Sequence, residues 1–168
     1  MGLFTTLTDR LSGAAPVASR YSAPKCAIPL AALFLFAGCS PSDVSVSLSV
    51  PAVVSPGEEL EIAVEVTNSA DYPQKITSID FSDSYLEGIM LTGSDPASLE
   101  SMHVPVINIV SYDFGFEIAP NESKTIVFQA IALEAGDYSG DLDVCINNGA
   151  SCIYGHARSV VKEPAQLY

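Results

Sequence analysis

Two stretches of the chain alternate apolar and polar residues with a period of two. Val44-Ser-Val46-Ser-Leu48-Ser-Val50 does so without a break, and Leu60-Glu-Ile62-Ala-Val64-Glu-Val66 repeats the pattern with glutamates turned outward. In a strand successive side chains point to opposite faces, so this period describes a strand with one buried face; a helix would need apolar residues every three to four positions. Pro51 closes the first stretch, and Ser55-Pro56-Gly57 supplies the turn into the second.

The same period continues toward the C-terminus. Ile76, Ile79 and Phe81 slip by one residue, as a β-bulge or a strand end requires. Asp80-Phe-Ser-Asp83-Ser reads as a polar loop before a short apolar strand, Leu86 to Leu91. Residues 93–103 are the longest stretch without a β pattern, with room for one helical turn. Alternation returns at Tyr112, Phe114, Phe116 and Ile118, and Pro120-Asn121-Glu122 turns into a strand over Lys124–Leu133, in the usual place of a central strand. After Ala135-Gly136, the residues Tyr138, Gly140, Leu142, Val144 and Ile146 share one face, with Asp137, Ser139, Asp141, Asp143 and Cys145 on the other. Ser151 to about Lys162 forms the partner strand, with Ile153, Ala157 and Val161 facing the core.

Asn148-Gly149 is a strong signal for a two-residue hairpin turn. With those residues as the loop, Ile146 faces Ser151 and Cys145 faces Cys152. Facing Cα atoms in an antiparallel pair are about 4.5 or 5.5 Å apart, within the range of a disulfide. A Cys145–Cys152 bridge on the solvent face is therefore expected.

Seven or eight short strands with regular turn signals and no amphipathic helix predict an all-β fold: a single antiparallel β-sandwich over residues 44–162, with a loose tail at 163–168. Val54-Ser-Pro-Gly57-Glu-Glu-Leu60, Ile118-Ala-Pro120-Asn-Glu-Ser-Lys-Thr-Ile126 and Glu134-Ala-Gly136-Asp-Tyr138 resemble the immunoglobulin-like modules of bacterial surface proteins, the CARDB-type group among them. The resemblance implies an immunoglobulin-like sandwich and a binding or spacing role.

The N-terminal segment has a different character. Arg10, Arg20 and Lys25 against Asp9 precede an apolar run, Cys26–Gly38, of 13 residues. A spanning helix needs about 20 such residues, so the run reads as the core of a secretion signal. The run ends in Leu35-Phe36-Ala37-Gly38-Cys39, which resembles the lipobox of bacterial lipoproteins despite Phe36 and the interrupting Pro29. That resemblance implies a signal peptide over residues 1–38, removed in the mature protein, a diacylglyceryl anchor on Cys39, and a linker over 39–43. Initiation at Leu11 or Val17 would leave a leader of ordinary length. Cys26 leaves with the leader and Cys39 takes lipid, which leaves Cys145 and Cys152 as a pair in an oxidising compartment. The expected location is the cell envelope, membrane-anchored, with Ser40 favouring the outer membrane.

Without the leader, 130 residues remain, enough for one domain with a real core. They carry 4 basic and 19 acidic residues, a net charge of −15. Such a surface repels nucleic acid and anionic headgroups and attracts cations or basic partners. No Gly-x-Ser-x-Gly setting surrounds any serine, and His103 and His156 are the only histidines, so no catalytic site and no cofactor are expected. Candidate binding residues are Asp95, Glu100 and His103 in the 93–103 segment, for an envelope protein or glycan. A calcium-binding alternative rests on Asp137, Asp141 and Asp143, joined by Asp80 and Asp83; a copper alternative rests on Met90, Met102 and His103, with Met90 read as a core residue.

Overall fold

The computed structural model describes residues 43–164. The leader, Cys39, most of the linker and the last four residues lie outside that range. The described residues are all-β, with one helical turn. Its strands are β1 (Val44–Ser49), β2 (Val53–Val54), β3 (Glu59–Asn68), β4 (Gln74–Ser82), β5 (Ile89–Asp95), β6 (Glu100–Val104), β7 (Ile109–Asp113), β8 (Glu117–Ile118), β9 (Ser123–Ala132), β10 (Gly136–Ile146) and β11 (Ser151–Val161), with α1 at Asp83–Leu86.

Two sheets form. One has the order β1-β3-β9-β5; the other runs β2-β11-β10-β4-β7-β6, with β8 pairing the start of β4. β9 is central, as expected. The pairs are antiparallel except one: Val53 and Val54 run parallel to Val160 and Val161, so the larger sheet is mixed and not purely antiparallel.

The alternating residues supply the core. Ile62, Val64 and Val66 from β3 and Ile126 and Phe128 from β9 meet Ile79 and Phe81 from β4 and Leu142 and Val144 from β10, all fully buried. Phe128 joins the layers: its ring packs edge-on against Phe81 at 4.9 Å, Tyr112 at 5.5 Å and Phe114 at 6.0 Å. Such aromatic pairs add to the burial of area, the dominant favourable term. The expected slip in β4 is a register shift: Cys145 pairs Ser78, whereas the next residue, Ile146, pairs Ile76.

Three expectations fail locally. Residues 80–84 are not a loop: Asp80–Ser82 complete β4, and Asp83 opens α1. The helical turn thus lies at 83–86, inside what read as loop and apolar strand, because Tyr85 turns inward to be fully buried. Its hydroxyl bonds Ser159 Oγ at 3.1 Å, which in turn donates to the Pro51 carbonyl at 2.8 Å. Residues 93–103 are also not a loop, since they hold the end of β5 and most of β6. Tyr112 to Ile118 is not one strand, because Gly115, at φ 81°, breaks it between β7 and β8.

Registers define two ends. Val44 faces Asn68, so the start of β1, the 69–73 loop and the 147–150 turn share the N-terminal end. Asn68 fixes that end: buried, its Nδ2 lies 2.9–3.1 Å from the carbonyls of Tyr72, Ile118 and Ala119, and its Oδ1 accepts from Ala70 N at 2.9 Å. The opposite, distal end carries α1 and the β6–β7 turn, joined where Asp83 N donates to Asn108 O at 2.9 Å.

Candidate functional site

The outer face of the larger sheet carries an acidic groove of about 800 Å³, bounded by β4, β10, α1 and the β6–β7 turn. Alternation along β10 puts Asp141, Asp143 and Cys145 on this face, and register aligns Asp143 with Asp80 of β4. Like charges directly opposite in an antiparallel pair are destabilising. Ser111 Oγ donates to Asp80 Oδ1 at 2.5 Å and orients that carboxylate. Asp143 has no such help: its Oδ1 is buried without a hydrogen-bond partner. Burial, and then the charges of Asp80 and Asp141, hold its carboxyl above the ordinary range.

The disulfide joins Cys145 and Cys152, whose Cα atoms are 4.0 Å apart. The expected pairing, Ile146 with Ser151 and Cys145 with Cys152, is present. The loop is wider than a two-residue turn: Asn147, Asn148 and Gly149 all have positive φ, and Ala150 N reaches back to Ile146 O at 3.1 Å. The bridge lies on the outer face but is not solvated as expected. Cys145 is 7% exposed, at the floor of the groove, with Sγ 3.7 Å from Asp80 Oδ2.

The wall of the groove toward β6 is apolar. Ile107 and Ile109 line it, and beyond them Met102 (63% exposed) and Val106 (91%) stand in the open, while Leu99 (75%) lies at the other end of β6, where its N–H donates to Asp113 O. The turn tip is Pro105-Val106-Ile107-Asn108, with Asn108 at φ 54°, a conformation that asparagine tolerates better than most residues. Nothing in the sequence pattern marked this turn except its proline and asparagine.

The residues singled out from sequence distribute unevenly. Asp95, Glu100 and His103 do not converge: Asp95 is in β5 of the smaller sheet, paired with Val127, whereas Glu100 and His103 are in β6 of the larger. His103 Nε2 meets Asp83 Oδ2 at 2.8 Å, at the distal end. Met90 and Met102 lie in different sheets, and Met90, at 46% exposed, is not a core residue. The copper set is therefore not assembled. Asp137 and Asp141 are engaged separately: Asp137 takes a two-pronged pair from Arg158 Nε and NH2 at 2.9 and 2.6 Å, and Asp141 meets His156 Nδ1 at 3.1 Å. The Arg158 hydrogen bonds hold the Asp137 carboxyl below the ordinary range. Among the described residues no three His, Cys, Asp or Glu side chains come close enough to hold a metal ion, so Asp137, Asp141 and Asp143 do not form a calcium cage. Also among them, no helix is long and apolar enough to cross a membrane.

A second cavity, of about 840 Å³, lies at β2, β3 and β9, where Val53, Leu60 and Ile131 meet Glu59 and Glu61. It contains neither an unpartnered buried carboxylate nor a histidine.

No family model matches the chain, and no curated protein matches it. Solved structures give distant likenesses. AvmM, which catalyses macrocyclization in alchivemycin A biosynthesis, is 13% identical, with 76% of this chain and 94% of that chain covered and a TM-score of 0.47. The cupredoxin domain of amoB from Nitrosocaldus yellowstonii gives 13%, 76%, 93% and 0.47 on the same measures. The alpha-2-macroglobulin of E. coli is 18% identical with a TM-score of 0.46; 73% of this chain is covered but only 7% of the macroglobulin. At such identities the chemistry of those proteins does not transfer to this chain.

Proposed function

We propose that this chain is a lipid-anchored, non-catalytic module of the cell envelope, of immunoglobulin-like type, that binds another protein through its larger sheet. The observation that carries this reading is the group of exposed apolar side chains Met102, Val106 and Ile107 at the rim of the acidic groove. Large contiguous exposed apolar patches, beyond a few hundred Å², commonly mark interaction sites. The patch fits a tethered module because β1 begins at the opposite end from the β6–β7 turn. Nine-residue β4 runs between those ends, about 26 Å at roughly 3.3 Å per residue. An anchor on Cys39, a few residues before Val44, would hold the N-terminal end near the bilayer and present the turn away from it. Two or more acyl chains would make that attachment stable.

The contact surface is tested by photocross-linking in intact membranes, with benzoylphenylalanine replacing Met102, Ile107 or, as a control on the opposite sheet, Thr125. Adducts from the first two positions and none from Thr125 are expected. Equal labelling at all three positions would sink the assignment of the surface.

A further inference from the structure

Five strands of the sandwich have an unpaired edge, β8 among them with only two residues, and four of the five are guarded. β1 packs against β11 of the facing sheet. β2 is two residues long and lies between Pro51 and Pro56. β5 is bent by a register shift between Leu91 and Gly93 and ends against Pro96. Bulges, prolines, short length and cover are the devices by which proteins protect unpaired strand edges. β6 ends against Pro105 as well, but it has no bulge. It holds five consecutive pairs with β7 without a shift, contains no proline or lysine, and carries Met102 in the open.

We infer that the free edge of β6 accepts an extended segment of a partner protein by strand addition, the segment carrying a basic side chain beside Glu100 and apolar ones beside Met102 and Val104. This rests on the binding-module reading and names its edge and the chemistry of its partner. Side chains on one face recur every second residue, so Glu100, Met102 and Val104 share the outer face with Asp113, Ser111 and Ile109 of β7. An added strand would continue those rows, with Glu100 and Asp113 at one end and apolar residues at the other. Main-chain hydrogen bonds would supply affinity and the alternate side chains selectivity.

Charge decides the occupant. None of the lysines and arginines at 75, 124, 158 and 162 lies on β6 or β7, and the one basic group there, His103, is engaged by Asp83. A second copy of the chain would bring no lysine or arginine of β6 or β7 to this acidic edge and so could not neutralise it. A basic segment would neutralise it.

The test uses the full chain in detergent micelles and three labelled peptides. The first is Thr-Lys-Thr-Val-Thr-Val-Thr, whose Lys and Val side chains fall beside Glu100, Met102 and Val104 when it lies parallel to β6, the second has Glu for Lys, and the third is the first with N-methyl groups on alternate backbone nitrogens. Anisotropy should show saturable binding of the first peptide, with slowed amide exchange in residues 100–104, and binding at least roughly tenfold weaker for the other two. Met102→Lys, at an exposed position that should not disturb folding, should weaken binding by a similar factor, whereas Met90→Lys on β5 should not. Undiminished binding of the N-methylated peptide, failure of the first peptide to bind, or dimerisation through β6 without peptide binding would each overturn strand addition. Peptide binding that is lost on Ile107→Ser but kept in Met102→Lys would also overturn it, while leaving the proposed contact surface standing.

Discussion

Asp143 is the residue at which fold and surface conflict most openly. Its backbone position is set by inward-facing Leu142 and Val144, and the register then places its carboxylate opposite Asp80. The raised carboxyl has a definite sign in stability. A group whose folded pKa lies above its unfolded value favours the native state below the unfolded value, about 3.9 for aspartate, and that contribution is lost as pH rises through the folded value. Asp143→Asn should therefore remove a decline in stability that begins above about pH 3.9, and raise stability at neutral pH by roughly 0.2–1 kcal/mol, the size of a cross-strand pair. Urea melts of both proteins across pH 3.5–7 check this, and lower stability of the variant at pH 7 would refute it. The aspartates were readable as a row on one face. Their pairing with Asp80 was not, because it depends on a register that the β4 bulge resets.

Among the elements, the clearest in sequence were those with one face buried and one wet. β1, β3, β9 and β10 all bury alternate residues, so their period appears in the residue types. β6 and β7 carry no such signal because neither contains a fully buried residue. A strand whose two faces see similar surroundings has no pattern to read, so the segment carrying Glu100 and His103 read as a binding loop and not as an edge strand. The β10–β11 hairpin was the most legible element, since its turn residues fix the register that aligns the cysteines. Its bridge closes a short loop, with a sequence separation of 7 residues. The chain-entropy relation gives about 2.5 kcal/mol for such a loop. Replacing both cysteines by alanine should lower the urea midpoint by the equivalent of that energy while leaving the slope nearly unchanged. An unchanged midpoint would mean that the hairpin is already held by its strands.

For the molecule as a whole, the sandwich is organised around Phe128, which meets aromatic rings of β4 and β7 from β9 of the other sheet. Phe128→Ala should cost about 3–5 kcal/mol, the usual range for a buried phenylalanine, and should be readable as a loss of urea resistance. A cost below about 1 kcal/mol would show that the layers close without it. A two-layer all-β architecture was legible because its core strands are regular; the parallel pairing of β2 was not, since two residues carry no period. In the proposed arrangement a membrane anchor lies at one end of the sandwich and a partner segment along the edge of β6. The proposed tether at Cys39 is tested by intact mass spectrometry of the protein extracted from membranes, alongside a Cys39→Ser variant. A chain beginning at Cys39 and carrying a diacylglyceryl group is expected, with no processing or acylation in the variant. Recovery of a chain that begins elsewhere without lipid, or normal processing and membrane retention of Cys39→Ser, would contradict it.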